Sequence, residues 1–124
     1  MFNSQLPMYA SSTNMKGVKY YTMIRTWGSW SLFQELLATL QRIATRHNVS
    51  ISNVATRWVL DFPCVGAVIV GVRMGISEHT DETLSSFGWS LTQDDREAIE
   101  QVLSKSRRTE MLTSLGDCGR EYRV

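Results

Sequence analysis

A continuous apolar run, Ala67-Val68-Ile69-Val70-Gly71, constrains the fold of this 124-residue chain more than any other stretch. Five residues without polar interruption read as one strand covered on both faces, which is the habit of parallel sheets in α/β proteins. The functional end of such a strand is its carboxyl end, and there the run hands over to Arg73, Gly75, Ser77 and a short helix-like segment. Gly71 and Gly75 let backbone approach a ligand closely, Ser77 is placed to cap the next helix, and the free N–H groups of that helix's first turn favour an anion. Arg73 adds a guanidinium suited to a phosphate oxygen. The layout is that of a phosphate site.

Around the strand the pattern is helical. Ser31 with Gln34 makes a capping-box signature, and Leu32, Phe33, Leu36, Leu37, Leu40, Ile43 and Ala44 then recur at helical spacing to about His47. Asn48 supplies a stop, and Ser50 restarts with Ile51, Val54, Ala55, Trp58 and Val59 on one side. Asp61-Phe62-Pro63 ends that second helix before the proline. A brief helix is expected over about 78–86, and Thr92 with Asp95 opens a last one carrying Ala98, Ile99, Val102 and Leu103. From about Lys105 the chain is polar with glycines and reads as a tail that docks or stays mobile. Without a repeat or a linker, residues 1–124 read as a single domain, irregular over 1–15.

Charge excludes several classes of function. A net charge of +1, with 20% charged residues, is too small for a nucleic-acid binder and not acidic enough for a solvated tail. The opening MFNSQLPMYASSTN has neither the charged region nor the sustained apolar core of a secretory signal, and no run is long enough for a membrane span, so a cytoplasmic location is expected. Cys64 and Cys118 stand far apart with no CxxC or His-rich context, which favours unpaired thiols over a disulfide or zinc site.

Five stretches together resemble the carboxyl-terminal third of an aldo-keto reductase: Tyr20-Tyr21-Thr22-Met23-Ile24, Trp27-Gly28-Ser29-Trp30, residues 49–60, the strand with its glycine-arginine continuation, and Gly116-Asp117-Cys118-Gly119-Arg120-Glu121-Tyr122-Arg123. The resemblance covers roughly the last hundred residues and implies a (β/α)8 barrel that reduces carbonyls with a nicotinamide cofactor. Such a barrel takes about 250 residues. The expected object is therefore an α/β fragment of a TIM barrel, predominantly helical, with one clear strand at 67–71 and a tail at 105–124. The family's catalytic Asp, Tyr, Lys and His have no matching positions, so no catalytic residue is assigned. The resemblance implies NADP as cofactor, held at Gly71, Arg73, Gly75, Ser77, His79, Glu82 and Thr83. Arg73 is implied on the adenosine 2′-phosphate. His79 stands where the family has Arg or Gln on the same phosphate, and Glu82 with Thr83 where an acid or amide pair contacts the adenine, Thr83 replacing the usual Asn.

Each of these residues also has an ordinary reading. Arg73 is otherwise a solvated charge at a strand end, and His79 an exposed side chain in a first turn where the dipole disfavours positive charge. His79 with Glu78, Asp81 and Glu82 makes a weak metal set, since acids on a helix surface are usually solvated. Trp27 and Trp30 either cover a cofactor or anchor a core, Trp58 packs, and His47 is explained by the helix dipole at its carboxyl end. Tyr20 and Tyr21 beside Lys19 do not make a catalytic pair by adjacency alone. Two function classes follow: an NADP-binding oxidoreductase fragment linked to carbonyl and alcohol reduction in a metabolite pathway, secondary metabolism included, or a non-catalytic remnant or helical interaction protein. A central strand with at most one neighbour leaves backbone groups unpaired, so a completing chain or self-association is expected.

Overall fold

The computed structural model describes residues 15–76, 78–117 and 119–123, with side chains for all of these except 15–19 and 121. Ser77 and Cys118 therefore lie outside the described residues, as does all but the last of the segment expected to be irregular. The elements are α1 (Met15–Trp27), α2 (Trp30–His47), α3 (Ile51–Leu60), α4 (Thr80–Leu84), α5 (Gln93–Ser104), α6 (Arg108–Leu115) and a 3-10 turn (Arg120–Tyr122). They group into two compact units, one of residues 1–36 with 101–124 and the other of residues 37–100.

Local chemistry explains the helix ends. Ser29, not Ser31, caps α2: its Oγ accepts from Leu32 N–H at 3.0 Å, which shifts the start two residues ahead of the expected capping box. Gly28 fits there because a Cβ would meet the Leu32 side chain at 2.9 Å. Asn48 ends α2 in the left-handed region, at φ 54°. Val49 N–H reaches Ala44 O at 2.9 Å and Asn48 N–H reaches Thr45 O at 3.3 Å, the two bonds of a Schellman motif. Ser50 caps α3 through Asn53 N–H at 3.1 Å. Thr92 and Asp95 form a reciprocal capping box on α5, with Asp95 N–H donating to Thr92 Oγ1 at 3.1 Å and Thr92 N–H to Asp95 Oδ2 at 3.0 Å. Ser50→Ala is expected to cost about 1 kcal/mol in a denaturant titration, the usual loss for a helix cap.

In the unit of residues 37–100, Leu40, Ile43, Ala44, Val54, Leu91 and Ile99 are buried. They are the expected inward positions of α2, α3 and α5, joined by Leu91 from the approach to α5. In the other unit Val102 and Leu103 are buried. There Trp30 packs between Tyr21 and Phe33, at ring-centroid distances of 6.0 and 5.5 Å. Trp30 is thus a packing residue. The sequence patterning singles out neither α1 nor α6. Arg107 joins them: its N–H donates to Trp27 O at 2.6 Å, and its guanidinium donates to the carbonyls of Arg25, Thr26 and Gly28 at 2.5, 3.2 and 3.1 Å. A cation thereby meets carbonyls that the end of α1 leaves without helical partners.

The strand expected at 67–71 is not present. Residues 65–72 have no regular secondary structure, Arg73 forms only an isolated bridge, and the described residues contain no β-ladder. The physical reason is partnership. Alternation and apolarity make a segment competent for a sheet, but a strand exists only where another backbone accepts and donates its hydrogen bonds. The helix expected at 78–86 is the single turn and a half of α4.

Candidate functional site

The residues after the apolar run converge in part. His79, Glu82 and Thr83 line one recess of about 150 Å³ with Ser52, Asn53, Thr56, Val70 and Ser86. Its floor is the amino-terminal end of α3 and its wall is α4. Asn53, 2% exposed, ties the two together. Its Nδ2 donates to Glu82 O at 3.2 Å and to Ser85 Oγ at 2.6 Å, while its Oδ1 accepts from Trp89 Nε1 at 2.8 Å. Ser50 Oγ donates to the Glu82 carboxylate, so that acid also fastens α4 to the cap of α3. Asn53→Ala leaves the Trp89 indole N–H and the Glu82 carbonyl without this partner. At about 1–3 kcal/mol for each buried group left unpaired, thermal unfolding is expected to shift clearly downward.

His79 remains largely exposed, with Nδ1 3.6 Å from Glu82 Oε2. It occupies the cap position of α4 but makes no side-chain cap bond. The sequence places a capping Ser77 and an anion-favouring helix start here; the start falls instead at Thr80, on a helix of five residues. So short a helix has little macrodipole. Arg73 is exposed, sits outside the recess lining, and has no carboxylate within ion-pairing distance among the described residues. Its carbonyl accepts from Ile76 N–H at 3.0 Å, closing a turn in which Gly75 takes φ 74°. Gly71 is exposed, and a side chain there would meet nothing. Among the described residues no three His, Cys, Asp or Glu groups converge on a metal position. Cys64 is an exposed free thiol.

A second polar centre, absent from the sequence reading, lies within the same unit. Asp95 is 1% exposed. Its Oδ2 is 2.6 Å from His47 Nε2 and its Oδ1 2.7 Å from Arg46 Nη1. Burial alone pushes this carboxyl upward, but hydrogen bonds from His47 and from the backbone and hydroxyl of Thr92 outweigh it and hold the group below the usual carboxylate range. Trp89 covers the His47 ring at 4.9 Å. The dipole explanation for His47 is therefore incomplete: a specific buried acid holds it. The capping box in the sequence marks Asp95, but nothing local marks its pairing with a histidine 48 residues away. Among the described residues no serine or cysteine is in hydrogen-bond contact with His47, and the His47–Asp95 pair fastens α2 to α5.

Trp58 and Phe62 meet edge-on at 4.7 Å. Both border a shallow recess of about 300 Å³ with Leu91 and the Arg96–Asp61 ion pair. Tyr20 is exposed and Tyr21 half-buried, as neighbours in one helix must diverge.

A profile of the Aldo/keto reductase family matches residues 4–104, and the chain belongs to that family. Its class at family level is oxidoreductase, its ancestry the TIM barrel of which this chain carries a part, and nicotinamide cofactors are the family's general partners. Comparison with curated proteins and with solved structures returned no match. No helix among the described residues is long and apolar enough to cross a membrane.

Proposed function

We propose that residues 71–83 form the nucleotide-binding segment of an aldo-keto reductase-type oxidoreductase and that its cofactor is NADP. The observation that carries this reading is the convergence of His79, Glu82 and Thr83 on one recess beside Val70. Three positions that the family resemblance assigns to the adenosine end of the cofactor share a surface in a chain that matches the family over most of its length. Arg73 supports it as a solvent-facing cation with no acid holding it. In this reading Arg73 meets the 2′-phosphate, with Gly71, Gly75 and Ser77 leaving room for it. His79 donates to the same group, and Glu82 and Thr83 offer polar atoms to the adenine. A carboxylate fixed by Ser50 suits an amine or hydroxyl donor on the nucleotide better than its phosphate.

No residue is assigned to proton transfer, so the chemistry of carbonyl reduction needs groups beyond those placed here. We assign the chain to the cytoplasm and to a metabolite pathway, on the strength of its free exposed thiol and its family. Calorimetric titration with NADP and with NAD tests the cofactor assignment: tighter binding of NADP is expected. Equal affinities, or no binding by a chain that circular dichroism shows to be folded, overturn it. With NADPH and common aldehydes or ketones the chain alone is expected to give no loss of nicotinamide absorbance, and carbonyl-dependent loss would refute the absence of a local proton donor.

A non-catalytic, interacting role is the second reading. It is favoured by the apolar side chains Ile69, Val72, Met74 and Ile76, all exposed in sequence proximity.

A further inference from the structure

A recess of about 490 Å³ lies within the unit of residues 1–36 and 101–124, lined by Tyr21, Thr22, Arg25, Thr26 and Arg107. Tyr21 with Arg25 and Thr22 with Thr26 share one face of α1, since positions four apart are neighbours on a helix, and Arg107 closes the recess from the residue ahead of α6. The lining brings two guanidinium groups together and contains no carboxylate. The surrounding unit shares the bias: it carries eight Lys and Arg against four Asp and Glu, whereas residues 37–100 carry five against eight. Helix chemistry accounts for one of the two cations. The carboxyl end of α1 presents the equivalent of about half a negative charge. Arg107 meets it through Nε, which donates to Thr26 O at 3.2 Å, and through Nη2, which donates to Arg25 O at 2.5 Å and Gly28 O at 3.1 Å. Those bonds fix the guanidinium plane and leave Nη1 with N–H groups that have no partner among the described residues. One full charge already exceeds what the helix end presents, so Arg25 is surplus. Its side chain is exposed and neither pairs with an acid nor bonds a carbonyl among the described residues. The Tyr21 hydroxyl, on the same lining, likewise has no partner there. Thr26 differs, because its Oγ1 donates its proton to Thr22 O at 3.0 Å.

We propose that this recess binds the phosphate-monoester group of a small soluble molecule, with Arg25 and Arg107 Nη1 on the phosphoryl oxygens and the Tyr21 hydroxyl donating to one of them. Unpaired donors and two positive charges call for an acceptor that carries close to two negative charges. A carboxylate has one charge and is satisfied by one guanidinium, whereas a phosphate monoester has close to two charges and three free oxygens, enough for both arginines and the phenol. The two cations lie in one recess rather than along a stripe, which suits a single phosphoryl group and not a polymer that would require several phosphates to be neutralised. This site shares no residue with the nucleotide-binding segment proposed at 71–83, so each assignment stands or falls without the other.

Glycerol phosphate, titrated into the isotope-labelled chain and followed by amide chemical shifts, tests it. Saturable shifts are expected at residues 21–26 and at Arg107. Arg25→Ala is expected to weaken binding about tenfold or more, the loss of a charge-assisted contact, and Tyr21→Phe by less. Arg120→Ala, which removes the same charge from an exposed site of the same unit, is expected to leave binding unchanged. Arg25 and Arg120 both stand in solvent, so circular dichroism is expected to be the same in their variants as in the wild type. Acetate is expected to bind far more weakly than glycerol phosphate. No saturable shift, shifts confined to residues 71–83, an equal loss in Arg25→Ala and Arg120→Ala, or acetate binding as tightly as the phosphate would each overturn the site. Vesicles containing phosphatidylglycerol that capture the chain through Arg25, where glycerol phosphate does not bind, would overturn the small-molecule assignment in favour of a lipid surface.

Discussion

Asp95→Ala is expected to destabilise the chain by about 3–5 kcal/mol, the range for breaking a buried ion pair, on a total stability of about 5–15 kcal/mol for a domain. Asp95 holds three positions at once. It is the third residue of α5 and closes the capping box with Thr92, it receives His47, and it receives Arg46. The contributions are unequal. Arg46 is more than half exposed and screened by water, so its pairing adds little. The His47 contact is mostly buried under Trp89 and carries more. His47→Ala should therefore destabilise more than Arg46→Ala, and neither as much as loss of the acid. Urea titration of the three variants orders them; an Arg46→Ala loss equal to that of Asp95→Ala would refute the assignment.

Acid sensitivity follows from the same group. The folded-state pKa of Asp95 lies below its unfolded value, so the folded chain binds fewer protons than the unfolded one across that window. The stability it contributes is present above the unfolded pKa and is lost as pH falls through the folded one, on the acid side of about pH 4. Asp95→Asn, which keeps the shape and removes the charge, should flatten that limb of the stability profile while lowering the neutral plateau.

Helices α2, α3 and α5 are legible in the sequence because their signals are local. Ser50, Asn48, and the Thr92–Asp95 pair each act on backbone groups within a few residues, and the apolar periodicity of α2 depends only on its own turn. The start of α2 is ambiguous in the sequence because two serines stand near it and the box of Ser31 with Gln34 lies inside the helix that Ser29 caps. The strand expected at 67–71 is absent for a different reason. Residues 67–71 have the composition of a buried parallel strand, but composition records what a segment can do when neighbours exist. Here the described residues supply none, and the same side chains face water.

The site was only partly legible for the same physical reason. His79, Glu82 and Thr83 stay together because α4, however short, places residues three and four apart on one side. Asn53 is not marked in the sequence, because a buried asparagine in a helix has no local signature. Its importance comes from Trp89, Glu82 and Ser85, which reach it from 29 to 36 residues away. The family resemblance points to this neighbourhood, and tertiary hydrogen bonds make Asn53 the residue that ties α3 to α4 there.

Arg73→Ala is expected to weaken NADP binding by roughly one to two orders of magnitude and to leave NAD nearly unchanged. The two cofactors differ by one phosphate on the adenosine ribose, so a residue that meets only that phosphate changes only their difference. A charge-assisted hydrogen bond contributes about 1.5–3 kcal/mol, which sets the size of the effect. Arg73 has no carboxylate partner among the described residues to compete for its guanidinium, and its side chain stands in solvent, so its removal should not alter folding. His79→Ala should do less, because that ring already lies 3.6 Å from the Glu82 carboxylate and a neutral donor offers a weaker contact than a guanidinium. Raising the salt concentration should narrow the preference for NADP in the wild type and hardly affect the Arg73→Ala variant, since the interaction is between exposed charges. Titration of both proteins with both cofactors at two ionic strengths separates the cases. An equal loss for NADP and NAD in Arg73→Ala would mean that the arginine supports the loop rather than the phosphate. A salt-independent preference would place the discriminating contact elsewhere in the recess.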